Sequence, residues 1–380
     1  ASRYLSHRWV KLAVIILVLL LATCLRLHEL DTDSLWGDET FEALHAQKDL
    51  FSILGTKPLA IRPTMSHTFM LIGDQDFLVR FSYAAVGILG VALMYKVGRA
   101  LFDDVTGIVG AFLLAISPFH IQYSQEARSY SWTILFVLTS LYCLYLALQD
   151  NQVRHWIGFS VATAFSLSNH VTTASVVASE VAYGALVLLL DRVSRTANLQ
   201  HSPGERHPEP SRHEGRLGTW LRRLRASRGV MLAISALTGI AVFVLASGNW
   251  FSYLGQIGLS TAGPGTGNSG AVLRISDTFI KGLLSDFGAG SGPVLCLYGA
   301  FFLAGLGSCA MDRQWRQLLL APIWILPPFF ILTKLSASAY FSSRHLIFIL
   351  PVYLLFAARG ITGVGRLATR YLRMPANAKK

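Results

Sequence analysis

The sequence predicts an all-α integral membrane protein of about ten transmembrane helices, and three observations predict it: composition, the length of its apolar runs, and the placement of its charges. Of 380 residues, 53% are hydrophobic and 14% are charged, against roughly 25% charged in ordinary soluble domains. A soluble fold could not bury that much apolar surface. The apolar residues also come in runs, such as 12–25 and 230–246, that approach the ~20 needed to cross a bilayer.

Taken in order, the spans are expected near residues 10–28, 78–98, 105–118, 130–149, 154–169, 171–190, 229–247, 289–310, 317–333 and 345–358. The first has no small-residue cleavage site, and Cys24-Leu25-Arg26 runs on into an acidic segment, so it reads as a retained span. The four cysteines fall inside apolar runs without a CxxC and read as small buried residues.

Charge placement orients the chain. With the N-terminus in the cytoplasm, the inside segments hold 23 of the 33 Lys and Arg and 8 carboxylates, while the outside segments hold 10 and 12. That balance of +15 inside against −2 outside is the positive-inside pattern. The net charge of +12 is thereby assigned to orientation and anionic lipid headgroups, with no nucleic-acid partner implied. Organisation follows: residues 1–190 form an N-terminal membrane module with a first outside loop at 26–77. Residues 191–228 are a basic cytoplasmic linker, and 229–380 a C-terminal membrane module with a short cytoplasmic tail. In the linker, Leu217, Trp220, Leu221 and Leu224 at helical spacing among arginines predict an interfacial amphipathic helix.

The outside segments carry the candidate chemistry. The first loop is acidic, and in Leu35-Trp36-Gly37-Asp38-Glu39 the glycine allows a turn before carboxylates that suit a helix N-terminus. Simple capping and a catalytic role both fit that pattern. The second loop packs Ser117-Pro118-Phe119-His120 and Tyr123-Ser124-Gln125-Glu126-Ala127-Arg128-Ser129-Tyr130 between two spans, and polar groups at that depth are costly unless they line a cavity. Arg80, Asn169-His170 and Ser343-Arg344-His345 lie at further outer span ends. Carboxylates, a histidine and arginines would then converge on one face, the set needed to deprotonate an acceptor hydroxyl and stabilise a phosphate leaving group.

These motifs, with Gly73-Asp74-Gln75-Asp76-Phe77-Leu78-Val79-Arg80 and Gly98-Arg99-Ala100-Leu101-Phe102, resemble the GT-C superfamily of glycosyltransferases. The similarity is densest over about residues 25–170 and points to the dolichyl-phosphate-mannose–protein mannosyltransferase-like and aminoarabinose transferase-like branch. The resemblance implies a GT-C bundle with amphipathic juxtamembrane helices in the first loop. It implies an inverting transfer of a sugar from a polyprenyl-phosphate donor to a glycan, lipid or protein acceptor, in the bacterial cytoplasmic membrane with the site on the periplasmic face. By position, Asp38 is the general base, with Glu39 and Glu126 as further catalytic carboxylates. Arg80, Arg128 and Arg344 match donor-phosphate partners, and His170, Tyr123, Gln125, His67 and Arg62 match substrate-binding positions. A divalent metal is left open, with Asp38, Glu126 and His170 as the residues that could hold it.

The sequence departs from that pattern in two places. Ile61-Arg62-Pro63-Thr64-Met65-Ser66-His67 stands where relatives carry a His-Pro-Pro or Gln-Pro-Pro run, and Val171 stands where an aromatic often follows the histidine. Acceptor binding would rest on the outside loops, with the glycine-rich 263–270 stretch as either a mobile lid or a disordered loop. The alternatives are a transporter or flippase of the lipid-linked sugar, and a non-catalytic scaffold. A flippase calls for ionisable groups through the membrane and internal repeats, whereas only Glu180 lies well inside a span.

Overall fold

The computed structural model describes residues 2–56, 59–73, 76–170, 172–200, 227–247, 277–290, 292–335 and 343–373, and among them there is no strand. In chain order the helices are α1 (Ser2–Leu27), α2 (Gly37–Ala46), α3 (Leu50–Thr56), α4 (Ile61–Met70), α5 (Asp76–Leu101), α6 (Asp104–Ala115), α7 (Pro118–Gln125), α8 (Tyr130–Asp150), α9 (Val153–Asn169) and α10 (Thr173–Gln200). After the linker come α11 (Arg228–Ser247), α12 (Asp277–Phe287), α13 (Gly292–Met311), α14 (Trp315–Leu335), a 3-10 turn (Ser343–Ile349) and α15 (Leu350–Arg373). The interfacial helix expected around Leu217–Leu224 and the 263–270 stretch lie outside the described residues.

Among the described residues seven helices are long and apolar enough to cross a membrane, or up to eight if the bent pair α6–α7 is one span. The count of ten therefore holds approximately. Its fifth member, α9, has 17 residues, about 25 Å at 1.5 Å per residue and short of the ~30 Å hydrocarbon core. Its third member is broken: α6 and α7 meet at 60°. The break is written locally. Ser117 caps α7 by accepting from the His120 N–H at 3.4 Å, and Pro118 fills the first helical turn, where its missing N–H costs nothing. Arg26, fully buried, donates to the Leu114 and Ala115 carbonyls at 3.1 Å and to His120 Nδ1. One guanidinium from α1 thus satisfies carbonyls that the broken helix exposes.

Burial separates a centre from a rim. In the most apolar window of each span, 83% of the residues are buried in the span formed by the 3-10 turn and α15 and 72% in α8, against 17% in α1 and 11% in α13. The last helix and α8 are therefore the axis, and α1 and α13 turn most of their apolar surface outward, as lipid permits. Two glycines bring α13 and α15 into backbone contact, since a Cβ at Gly305 would overlap the Phe356 carbonyl and one at Gly360 the Phe301 carbonyl. Such close crossings are how helices associate where no hydrophobic force acts between them. Inside the bundle Ser140 of α8 donates to Glu180 of α10 at 2.7 Å.

At the end of the bundle counted above as inside, acids are held by bases from several helices. Asp104 takes Lys11 at 2.6 Å and Arg99 at 3.1 Å. Asp103 takes Arg366 at 2.8 Å, Arg359 pairs with both Asp103 and Asp312, and Arg316 pairs with Asp191 at 2.7 Å. The candidate site lies at the opposite end.

Candidate active site

The segment from Leu30 to Ala46 is built around one buried ion pair. α2 starts at Gly37, and neighbouring residues on a helix point about 100° apart, so Asp38 and Glu39 part company. Glu39 is fully buried and receives Arg80 Nε on Oε1 at 3.0 Å and Arg80 Nη2 on Oε2 at 2.6 Å. It also accepts from the Ala127 N–H at 2.8 Å and the Trp36 N–H at 3.3 Å. Arg80 spends its other donors on the carbonyls of Leu30 at 3.1 Å, Asp33 at 2.6 Å and Ser34 at 3.2 Å. A guanidinium has five N–H donors, and Arg80 has all five engaged within the chain. The sequence expectation made Arg80 a phosphate partner and Glu39 a catalytic carboxylate; here their polar atoms are engaged with each other and with the backbone. The two clamp the first loop to α5 and to the α7–α8 connection.

Asp38 points the other way. Its side chain is 39% exposed, and its Oδ2 lies 3.1 Å from Arg128 Nη2. Arg128 stands over the Trp36 ring at 5.8 Å, a cation–π contact that holds it beside Asp38. Its Nε is buried without a partner among the described residues. Glu126, two residues earlier, has a buried Oε2 in the same condition, while its Oε1 accepts from Gln122 at 3.4 Å. Burial pushes the Glu126 carboxyl above its ordinary value, Glu39 adds to the rise, and the Gln122 hydrogen bond, Arg344 and Arg128 oppose it.

Arg344 reaches the same place from the other end of the sequence. It lies second in the 3-10 turn, acts electrostatically on Glu126, and shares His170 with Arg128. Its Nε is buried and unpartnered, and it makes no ion pair among the described residues. Arg128 and Arg344 thus each bring a guanidinium with one buried, unpartnered Nε to this end of the bundle, and guanidinium groups of this kind suit carboxylate and phosphate partners. The floor is aromatic: Tyr123 meets Phe119 at 5.0 Å and Tyr130 at 4.8 Å, and His170 lies 6.0 Å from Tyr130 and 5.8 Å from His345. His170 Nδ1 accepts from the Thr172 N–H at 3.3 Å. Burial, followed by His345, Arg62, Arg128 and Arg344, pushes the imidazole down to about 3, so it works as a neutral group.

The remaining expected positions are tied to the scaffold. Gln125 donates to the His28 carbonyl at 2.8 Å. His67 bridges α4 to the Ala46 carbonyl at 2.8 Å, and Arg62 pairs with Glu42 at 2.9 Å, which also accepts from Tyr83. Among the described residues no three of His, Cys, Asp and Glu are grouped for a metal, so Asp38, Glu126 and His170 are not a ready-made cation cage. Two residues went unseen in the sequence. Arg26 sits at a span end with nothing to mark it as buried, and Asp286 stands in no motif, although its membership in the outside acidic excess is a signal.

Residues 56–201 match the family model of the dolichyl-phosphate-mannose-protein mannosyltransferases, a segment that includes Arg80, Glu126, Arg128 and His170. No curated protein matches in sequence. The fold is similar to that of the oligosaccharyltransferase of Archaeoglobus fulgidus, with a TM-score of 0.56 at 13% identity over 95% of this chain and 51% of that one. The same enzyme, AglB, in complex with an inhibitory peptide and a dolichol-phosphate gives 0.54 at 14% identity, covering 96% of this chain and 51% of that one. ArnT from Cupriavidus metallidurans gives 0.51 at 14% identity over 99% of this chain and 67% of that one. The chain thus spans about half the length of the archaeal enzyme. The resemblance read from the loop motifs is borne out at the level of fold and family model.

Proposed function

We propose that the protein is a membrane glycosyltransferase that moves a sugar from a polyprenyl-phosphate donor to an acceptor hydroxyl on the extracytoplasmic face. The observation that carries this reading is that Arg128, paired with the partly exposed Asp38, and Arg344 act on the same Glu126 and His170, each arginine with a buried, unpartnered Nε. The family match over 56–201 and the dolichol-phosphate held by AglB support a lipid phosphate as the anion. The charge asymmetry supports the face.

In this reading Asp38 takes the proton of the acceptor hydroxyl, whose oxygen attacks the anomeric carbon from the side opposite the phosphate. The carbon–oxygen bond to phosphate breaks, its electron pair leaves with the polyprenyl phosphate, and configuration inverts. Arg128 and Arg344 take up the developing phosphate charge, the kind of fixed electrostatic stabilisation that is often the largest catalytic contribution. Arg128 serves both partners, because it already touches Asp38. Glu126 offers its open oxygen to a sugar or acceptor hydroxyl, and neutral His170 with Tyr123 and Tyr130 lines the sugar subsite. Arg80 and Glu39 are positioning residues.

The test is sugar transfer by purified protein from a defined polyprenyl-phosphate sugar, with Asp38→Asn alongside. Turnover should fall at least about 100-fold, in line with loss of a positioned base, with melting temperature unchanged. Full turnover in Asp38→Asn would remove Asp38 from the role. Movement of labelled lipid-linked sugar across proteoliposomes without any acceptor would instead favour a flippase.

A further inference from the structure

We infer that Asp286 is a positioning residue for the phosphate site, acting through Ser343 on Arg344; this rests on the reading of Arg344 as a phosphate partner. Asp286 lies in the last turn of α12. The neighbouring Phe287 packs on Phe119 of α7 at 5.8 Å and on Tyr353 of α15 at 5.7 Å, so this end of α12 is wedged between the site and the last helix. From there the Asp286 Oδ2 accepts a hydrogen bond from the Ser343 hydroxyl. Ser343 is the first residue of the 3-10 turn, and Arg344 is the second. The Asp286 charge is also felt at the Tyr123 hydroxyl, together with those of Glu126 and Arg344.

The turn needs such a tie. It runs for seven residues, whereas 3-10 runs beyond three or four are uncommon because their hydrogen bonds are poorly aligned. Its far end is held by Trp324 Nε1, which donates to the Phe348 carbonyl at 3.1 Å. Its near end is held by Asp286. A 3-10 helix turns about 120° and rises about 2.0 Å per residue, against about 100° and 1.5 Å in an α-helix. Over the four residues from Phe348 back to Arg344, relaxation to α geometry would swing the arginine by about 80° and draw it back about 2 Å. Either change takes its guanidinium off the phosphate that, in that reading, it shares with Arg128.

The experiment uses the full chain in detergent or nanodiscs, measuring the affinity for sugar-free polyprenyl phosphate and the steady-state constants for the sugar donor. Asp286→Ala and Ser343→Ala should each weaken phosphate binding about tenfold, the size of one lost interaction, and lower kcat/KM for the donor by at least as much, since Arg344 also faces the charge that develops on the leaving phosphate. Asp286→Asn, whose amide oxygen still accepts from Ser343, should recover most of that loss. On an Arg344→Ala background, Asp286→Ala should add little, because both act through one group. Wild-type phosphate affinity in both Asp286→Ala and Ser343→Ala, with Arg344→Ala impaired, would overturn this inference and leave the phosphate reading standing. Full additivity with Arg344→Ala would overturn it too. Wild-type affinity in Arg344→Ala would instead remove the reading on which it rests. Should Asp286→Ala fail to fold, Ser343→Ala removes one hydroxyl and asks the same question.

Discussion

Replacing Glu39 separates a clamp from a catalyst. Its carboxylate is fully buried and accepts four hydrogen bonds, two of them from Arg80 and one each from the Ala127 and Trp36 N–H groups. Glu39→Ala leaves the buried Arg80 guanidinium without its counter-ion, held only by the Leu30, Asp33 and Ser34 carbonyls, and strands the Ala127 N–H. Breaking one partner of a buried pair costs about 3–5 kcal/mol. Glu39→Gln should be nearly as harmful, because one oxygen gives way to an NH2 that points donors at donors. A cycle with Arg80→Ala should show coupling of up to about 3 kcal/mol, the double variant costing less than the sum of the singles. The assay is thermal melting in detergent together with limited proteolysis of residues 30–46, which should become cleavable in both Glu39 variants. If Glu39→Gln melts and resists protease as the wild type does, the clamp is not what holds the first loop, and the division of labour between Asp38 and Glu39 falls with it.

Other consequences are as direct. His170 is pushed down to about 3 by burial and its basic neighbours. Its contribution to stability is therefore complete above about pH 6.5, where the unfolded imidazole is also neutral, and is lost as pH falls from there towards 3. His170→Phe should shrink the drop in melting temperature between about pH 7.5 and about pH 5, and an unchanged drop would refute the assignment. Gly360→Ala must push α13 from α15, because its Cβ would overlap the Phe301 carbonyl. The expected cost is about 1–3 kcal/mol by overpacking, read as a lower melting temperature with native-like helicity. Ser140→Ala removes the hydrogen bond to Glu180 and should cost about 0.6 kcal/mol, up to about 1.7, the range for interhelical bonds in membrane proteins. A larger loss would mean that Ser140 holds more than Glu180.

The fold class was legible because a bilayer imposes long apolar runs that no soluble domain needs, and the alternation of charge showed which loops share an end. That alternation alone gathers Asp38, Glu126, Arg128, His170 and Arg344 at one end of the bundle. It could not rank neighbours. Asp38 and Glu39 differ by one helical step, and which of them is buried depends on an N–H at Ala127, 88 residues away. Arg80 and Arg128 look alike as basic residues near span ends. Only the count of satisfied donors distinguishes an anchor from an open hand. Ser117-Pro118 was readable as the end of a span, but the 60° bend depends on Arg26 capping carbonyls at Leu114 and Ala115, a partnership between distant segments.

On the proposed function, the pairing of Arg128 with Arg344 bears on how the protein comes into being. A nascent chain that has inserted residues through α10 already carries Asp38, Glu126, Arg128 and His170. It lacks Arg344, which arrives only with the final helix and the turn before it. On the proposed function, a chain stopped before that turn would carry one of the two arginines, so the grip on a lipid phosphate would be completed only once the turn before α15 is in place.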